Sequence, residues 1–142
     1  MSTQFQLLLP RVIYQKMIRH AHDEYPHECC GFLAGKYEGD SRLVEIRRSL
    51  INIHPNPETR YLVDPREVSR NFRMFRDSGW DLLATYHSHP TSGPFPSRTD
   101  MEISMGEGII HFIISLADDQ PEMRGWWVNT ERYDPADWEL VD

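Results

Sequence analysis

Apolar side chains recur at the spacing of an amphipathic helix in two stretches of the chain. The first stretch begins at Pro10, which suits the first position of a helix, and continues to residue 25. The second follows Asp64, a residue that caps helix starts well, and stops at Gly79. The pattern therefore predicts two helices, each with one face packed against the rest of the molecule.

Shorter apolar runs are typical of β-strands. These runs cover residues 29–37, 42–53, 81–87, 109–116 and 123–129. A Gly-Asp turn separates the first two, so we expect them to form a hairpin. The tail after residue 129 is polar apart from one Trp and suggests no element. Because helices and strands intermix, the sequence predicts an α/β or α+β fold with a mixed sheet.

Composition restricts the possible functions. A chain of 142 residues suggests a single domain, residues 1–142. The net charge of −7 disfavours binding to nucleic acid or to an anionic membrane surface. No apolar run is long enough to span a membrane, and no secretory signal is recognisable. The cysteines, Cys29 and Cys30, are adjacent and poorly placed to pair with each other, so we expect a reduced, cytoplasmic protein.

The segment from His87 to Asp100 is the best candidate for chemistry. His87 and His89 are two residues apart at the end of a predicted strand, so both imidazoles point to the same side. Two such nitrogens are a natural start for a zinc site, and the following Pro-rich loop can return Asp100 as a carboxylate ligand. Three protein ligands leave a fourth position for water, which is typical of catalytic zinc sites.

The same residues have a second interpretation. Ser97 and Asp100 have the spacing of a helix cap, and a short helix from Ser97 to about residue 105 is expected on that basis. The two interpretations partly compete, because a carboxylate oxygen bound to a metal is not free to cap. A histidine at a strand end is also more often a packed or surface residue than a ligand.

The complete spacing resembles the motif of the JAMM, or MPN-plus, metalloprotease family. That motif has a Glu, then His-Ser/Thr-His-Pro, seven residues between the second His and a Ser, and an Asp three positions later. Here residues 90–96 separate His89 from Ser97, and Asp100 follows. Upstream, Glu28 lies in HECCGFLAG, which is similar to the first strand of the family. The resemblance covers about residues 10–130.

The resemblance implies both a fold and a set of roles. The fold is a curved mixed sheet flanked by helices, related to that of cytidine deaminases. His87, His89 and Asp100 would bind one zinc ion, Glu28 would act as general base and carry a proton, and Ser97 would stabilise the tetrahedral intermediate. The implied activity is a zinc-dependent isopeptidase or peptidase that acts after the Gly-Gly tail of a ubiquitin-like or sulfur-carrier protein. Stand-alone bacterial and archaeal members are the most similar type.

Other interpretations stay open at this point. The alternative function is a non-catalytic scaffold of the same fold that binds a ubiquitin-like partner. A nucleic-acid-associated relative of the DNA-repair type is disfavoured by the negative charge. Cys29 and Cys30 are expected to be buried strand residues, since no base is marked to activate a thiol. Of Trp126 and Trp127, one indole is expected in the core, and an exposed partner surface is the alternative for the other.

Overall fold

Three helices and eight strands are present in the described part of the chain. The computed structural model describes residues 4–103 and 108–142. The helices are α1 (Arg11–Glu24), α2 (Pro65–Ser78) and α3 (Arg98–Glu102). The strands are β1 (Gln6–Pro10), β2 (Cys30–Glu38), β3 (Ser41–Leu50), β4 (Asp81–His89), β5 (Ile110–Ser115), β6 (Glu122–Val128), β7 (Tyr133–Pro135) and β8 (Trp138–Val141).

Both long helices are confirmed, and their ends have the expected local chemistry. The side chain of Asp64 accepts a hydrogen bond from the backbone N–H of Arg66, which caps α2. At the other end of α2, Gly79 adopts a left-handed conformation with φ 75°. Helix α1 begins one residue later than predicted, at Arg11. Pro10 is the last residue of β1 and directly precedes the helix. The predicted end of the third helix, near residue 105, lies outside the described residues.

The strands form one mixed sheet, as the sequence predicted. Their order is β7-β6-β5-β4-β2-β3-β1-β8. Strands β1 and β3, β1 and β8, and β4 and β5 pair in parallel, and the other neighbours are antiparallel. Three strands were not predicted. These are β1, which the three-leucine run supplies, and the tail strands β7 and β8.

The two long helices cover opposite faces of this sheet. Side chains alternate along β2, so Leu33 joins a core cluster with Met17 of α1, whereas Phe32 joins another with Phe75 of α2. The same alternation on β4 places Tyr86 in the α1 cluster. The odd-numbered positions at the end of β4 therefore face the α2 side, and this side holds the two histidines of interest.

Buried cysteines and tryptophans complete the core. Cys29 and Cys30 are free and almost fully buried, as expected. Burial raises the pKa of Cys29 to about 12 and the pKa of Cys30 further, so neither thiol is a nucleophile at neutral pH. Trp126 and Trp127 are both buried, so neither supplies an exposed partner surface. No described helix combines the length and apolarity needed to cross a membrane.

A close approach of two strands generates a test of this packing. At Gly35 the pairing between β2 and β3 shifts register, and an added Cβ would overlap the backbone carbonyl of Leu43. We expect Gly35→Ala to lower the free energy of unfolding by at least about 2 kcal/mol, because backbone cannot yield as a side chain can. Gly108→Ala is the matched control, since a Cβ there meets no atom within 4 Å. Equal urea midpoints for the two variants would contradict the packing described here.

Candidate metal centre

The end of β4 presents two buried imidazoles on one side of the sheet. His87 and His89 are both inside β4, which extends two residues further than predicted. Residues at i and i+2 of a strand point to the same face, so both rings reach the α2 side. The ring of Tyr61 stacks on His87 with centroids 4.8 Å apart, which fixes the position of that imidazole. Sequence analysis did not single out Tyr61.

Three predicted ligands meet at one point. The Nε2 atoms of His87 and His89 are 3.2 Å apart, and each lies 3.1 Å from Oδ2 of Asp100. The two histidine side chains are nearly inaccessible, and the Asp100 side chain keeps 11% of its exposure. His87, His89 and Asp100 are thus the described group of side chains that could hold a metal ion.

The protonation of His89 shows why a cation fits between these atoms. Its Nδ1–H donates to the carbonyl of Gly93 at 2.9 Å, so a neutral His89 turns the lone pair of Nε2 towards Asp100. An acceptor nitrogen and a carboxylate oxygen 3.1 Å apart repel each other unless a proton or a cation lies between them. Zinc ligands at about 2.0–2.1 Å in tetrahedral geometry are about 3.3 Å apart, close to the separations found here.

The electrostatics of the group agree with this picture. Burial alone would raise the pKa of Asp100, but hydrogen bonds with His87 and His89 outweigh it and hold the pKa well below its ordinary value. Burial likewise acts to lower the pKa of His89, yet the bonds with Asp100 and the Gly93 carbonyl leave it raised. Asp100 is therefore an anion over the whole physiological pH range, ready to bind a cation.

Ser97 and Asp100 also form the predicted cap of α3. Oγ of Ser97 accepts from the backbone N–H of Asp100 at 3.1 Å, and Oδ2 of Asp100 accepts from the backbone N–H of Ser97 at 2.9 Å. The same Oδ2 faces the two imidazoles. Because a carboxylate oxygen has two lone pairs, capping and metal binding share one atom and do not exclude each other.

The loop that joins β4 to α3 is held from the neighbouring strands. Nε1 of Trp126 donates to the carbonyl of Pro94 at 2.8 Å, and Oγ of Ser115 donates to the carbonyl of Ser92 at 2.6 Å. These two bonds flank Gly93, whose carbonyl orients His89. Sequence analysis missed this role for Trp126 and Ser115, and no local signal could have found it, since the partners are 32 and 23 residues apart.

Glu28 is the buried carboxylate beside this group. It is only 4% exposed, and its pKa is governed by burial and by nearby charges, with no hydrogen bond contributing. Burial raises its pKa to about 8, with the charge of Asp100 adding to the effect and that of His89 opposing it. These charge interactions show that Glu28 belongs to the same electrostatic environment as two of the candidate ligands.

A single asparagine holds the backbone around Glu28. Nδ2 of Asn52 donates to the carbonyls of Glu28 and Arg60, and Oδ1 accepts from the backbone N–H groups of His54 and Leu62. The loop of residues 53–62 is therefore attached to the backbone at Glu28, two residues before β2. Sequence analysis placed Asn52 near the end of a predicted strand and missed its role, because nothing in its local sequence marks these contacts.

Comparison with known proteins places the chain in a family. A model described as "Prokaryotic homologs of the JAB domain" matches residues 10–129. The family is typically metal-dependent, which agrees with a His–His–Asp group able to hold an ion. The match contains every residue of the candidate centre.

Three curated relatives match most of the chain. The desampylase of Haloferax volcanii is 32% identical over 117 residues, which are 80% of this chain and 83% of that protein. The CysO-cysteine peptidase of Mycobacterium tuberculosis is 30% identical over 117 residues, 82% of this chain and 78% of that protein. A probable TtuB-protein conjugate cleaving protease of Thermus thermophilus is 36% identical over 96 residues, 68% of this chain and 62% of that protein.

Solved structures agree with the fold. A protein of Desulfitobacterium hafniense, solved in solution, superimposes with a TM-score of 0.84 at 30% identity, covering 96% of this chain and 93% of that one. A Salinibacter ruber protein gives a TM-score of 0.65 at 23% identity over 95% and 91% of the two chains, a likeness of fold alone. The chain therefore belongs to the family of prokaryotic homologues of the JAB domain.

Proposed function

We propose that this protein is a zinc-dependent isopeptidase or peptidase that hydrolyses the bond after the Gly-Gly tail of a ubiquitin-like or sulfur-carrier protein. The observation that carries the proposal is the meeting of His87, His89 and Asp100 within 3.2 Å, with Glu28 buried beside them. Two of the relatives are named as a probable TtuB-protein conjugate cleaving protease and as a CysO-cysteine peptidase. These names support the same class of substrate here.

Zinc is the metal that suits this donor set best. Two imidazole nitrogens and one carboxylate oxygen are ligands that zinc prefers, and a three-ligand protein site leaves a position open. When bound in such a site, zinc polarises a carbonyl group and lowers the pKa of water from 15.7 to about 7. His87, His89 and Asp100 would hold the ion, and the bond from His89 to Gly93 would keep Nε2 available.

Glu28 is proposed as the general base and proton carrier. A base works best when its pKa lies near the working pH, and burial moves Glu28 in that direction from its ordinary 4.5. Its carboxylate takes a proton from the attacking water and then delivers it to the departing amine. No hydrogen bond contributes to its pKa, which leaves the carboxylate free for both steps.

Ser97 is proposed as the donor that stabilises the developing oxyanion. Its Oγ already accepts from the Asp100 N–H, so its own proton remains available to donate. One donor of this kind is typically worth a factor of about 10²–10³ in rate. The cap thus positions the hydroxyl for the role that the family resemblance implies.

Exposed apolar side chains beside the centre suit an extended carrier tail. Ile53 and Leu62 are about half exposed, and the backbone N–H of Ile53 donates to the carbonyl of Leu62. Between them along the loop lies Tyr61, which stacks on His87. An extended tail that pairs with backbone here and contacts these side chains would bring its last peptide bond to the metal.

The non-catalytic scaffold remains the competing function. A scaffold has no need of a complete ligand triad with a carboxylate buried beside it, and such groups are costly to keep in a folded chain. We also propose that residues 1–142 act as one domain in the cytoplasm. A single sheet contains all eight described strands, which supports one domain. The two free thiols suit a reducing compartment.

Removal of a ligand tests the metal site. We expect the wild-type protein to contain one zinc per chain and His89→Ala to lose tight zinc binding, because two ligands cannot hold the ion. Metal analysis after dialysis measures this, and circular dichroism checks that the fold is kept. The matched control is His22→Ala, which alters an exposed histidine on α1. Unchanged stoichiometry in His89→Ala would count against the site.

Removal of the base tests catalysis and substrate class together. The substrates are fusions in which a small carrier ending in Gly-Gly is joined to a peptide, with Ala-Ala fusions for comparison. We expect wild-type enzyme to cleave only the Gly-Gly fusions, and Glu28→Gln to keep zinc but lose a factor of about 10²–10⁴ in kcat. Glu24→Gln, an exposed change nearby, is expected to behave as wild type. A zinc-loaded wild type that binds the carrier and cleaves nothing is a scaffold.

The two roles of Ser97 can be separated. We expect Ser97→Ala to lower kcat by about 10²–10³ and the free energy of unfolding by ~1 kcal/mol, through loss of the oxyanion donor and of the cap. Asp64→Ala removes the cap of α2, away from the metal centre, and is expected to cost similar stability without a change in kcat. If Ser97→Ala loses stability alone, Ser97 is only a cap.

A further inference from the structure

A small pocket lies between α1 and β3, on the face of the sheet opposite the metal centre. Its volume is about 150 Å³. The residues that line it are mostly cations or hydrogen-bond donors: Lys16, Arg19, His20, Asp23, Arg47 and Ser49. Tyr86 below it and His87 at the metal are successive residues of β4, so their side chains lie on opposite faces.

A buried hydroxyl holds one of the cations in place. The hydroxyl of Tyr86 accepts from Nη1 of Arg47 at 3.0 Å and is 2.7 Å from Nδ1 of His20. The ring of Tyr86 occupies the space above Gly31, where any Cβ would overlap it. Because Gly31 on β2 has no side chain, Tyr86 of β4 can extend across β2 to Arg47 of β3.

The three cations of this pocket form no ion pair within the described residues, although Asp23 is part of its lining. Some arginines of the chain pair with carboxylates, for example Arg124 with Glu122, and others bond to neutral groups, as Arg48 does to Asn71. By contrast, no described carboxylate forms an ion pair with Lys16, Arg19 or Arg47. The Nε–H of Arg47 is buried and makes no hydrogen bond at all. A half-buried guanidinium without a carboxylate partner is costly to keep in a folded chain.

The acidic groups near the pocket do not fill this role. Asp23 lines the pocket, one helical turn beyond Arg19, yet the two form no ion pair. Glu24 lies 4.0 Å from Nε2 of His20. His20 is half-buried, and burial followed by the charge of Arg47 lowers its pKa. It is therefore neutral, with Tyr86 donating to Nδ1 and the imidazole proton on Nε2.

We infer that this pocket binds a small tetrahedral oxyanion of the phosphate or sulfate class. An ammonium, guanidinium groups and a hydroxyl offer donors from α1 and from β3, and a tetrahedral anion presents acceptors in several directions. The volume equals that of about five water molecules, at roughly 30 Å³ each. That space admits one such anion with some water.

The test is a titration of the full, isotope-labelled chain with sodium sulfate, at an ionic strength held constant with sodium chloride. Backbone amide shifts locate the anion. We expect saturating shifts at residues 16–23 and 47–49, and an affinity at least about tenfold weaker in Lys16→Gln and Arg47→Gln, since each removes a charged donor. Lys36→Gln makes the same change at the exposed end of β2 and should leave the affinity as it is.

Three results would overturn the inference. Shifts that never saturate, or that are equal in the wild type and Lys16→Gln, mean that no site exists. Shifts confined to residues 87–100 mean that sulfate binds at the metal centre instead. Saturation by sodium acetate at the same affinity means that the pocket takes any carboxylate. If Arg47→Gln fails to fold because Tyr86 loses its partner, the exposed Lys16 decides alone. The outcome does not depend on the proposed hydrolase activity, which concerns the other face.

Discussion

The candidate centre depends on one hydrogen bond, from Nδ1–H of His89 to the carbonyl of Gly93. Because Nδ1–H of His89 is bonded to the carbonyl of Gly93, the other nitrogen of the neutral ring has only a lone pair to offer Asp100. Three features of the fold enforce this geometry: the strand parity that aims both imidazoles at one point, the Trp126 and Ser115 bonds that fix the loop, and the cap that orients Asp100. A cation between these acceptor atoms would remove the repulsion that their close approach creates.

The sheet separates two chemically different environments. The α2 face carries an anionic, acceptor-rich group formed by Asp100, Glu28 and two imidazoles. The α1 face carries the donor-rich pocket around Arg47. The two lie back to back, since adjacent residues of β4, Tyr86 and His87, contribute to each. A single strand therefore supports both, and the alternation of its side chains keeps them apart.

The sequence predicted the parts of the centre that depend on local spacing. Four residues of the centre lie within one segment of fourteen: His87, His89, Ser97 and Asp100. The alternation of side chains along a strand and the spacing of a helix cap were therefore enough to predict that they lie close together. Contacts between distant segments were out of reach, such as Trp126 with Pro94 or Asn52 with Glu28. Strands β1 and β8 were missed for a related reason: each is short, and their pairing with each other joins opposite ends of the sequence. Propensity over four or five residues is too weak to reveal such pairing.

The sharing of Oδ2 of Asp100 between the Ser97 N–H and the imidazoles has a consequence for assembly of the site. The atom that caps the short helix is also one of the atoms that would bind an ion. Metal binding and the stability of the first turn of α3 are therefore coupled: a bound ion would stabilise the cap, and a formed cap would favour binding of the ion. The same contact would hold the loop after β4 against the strand.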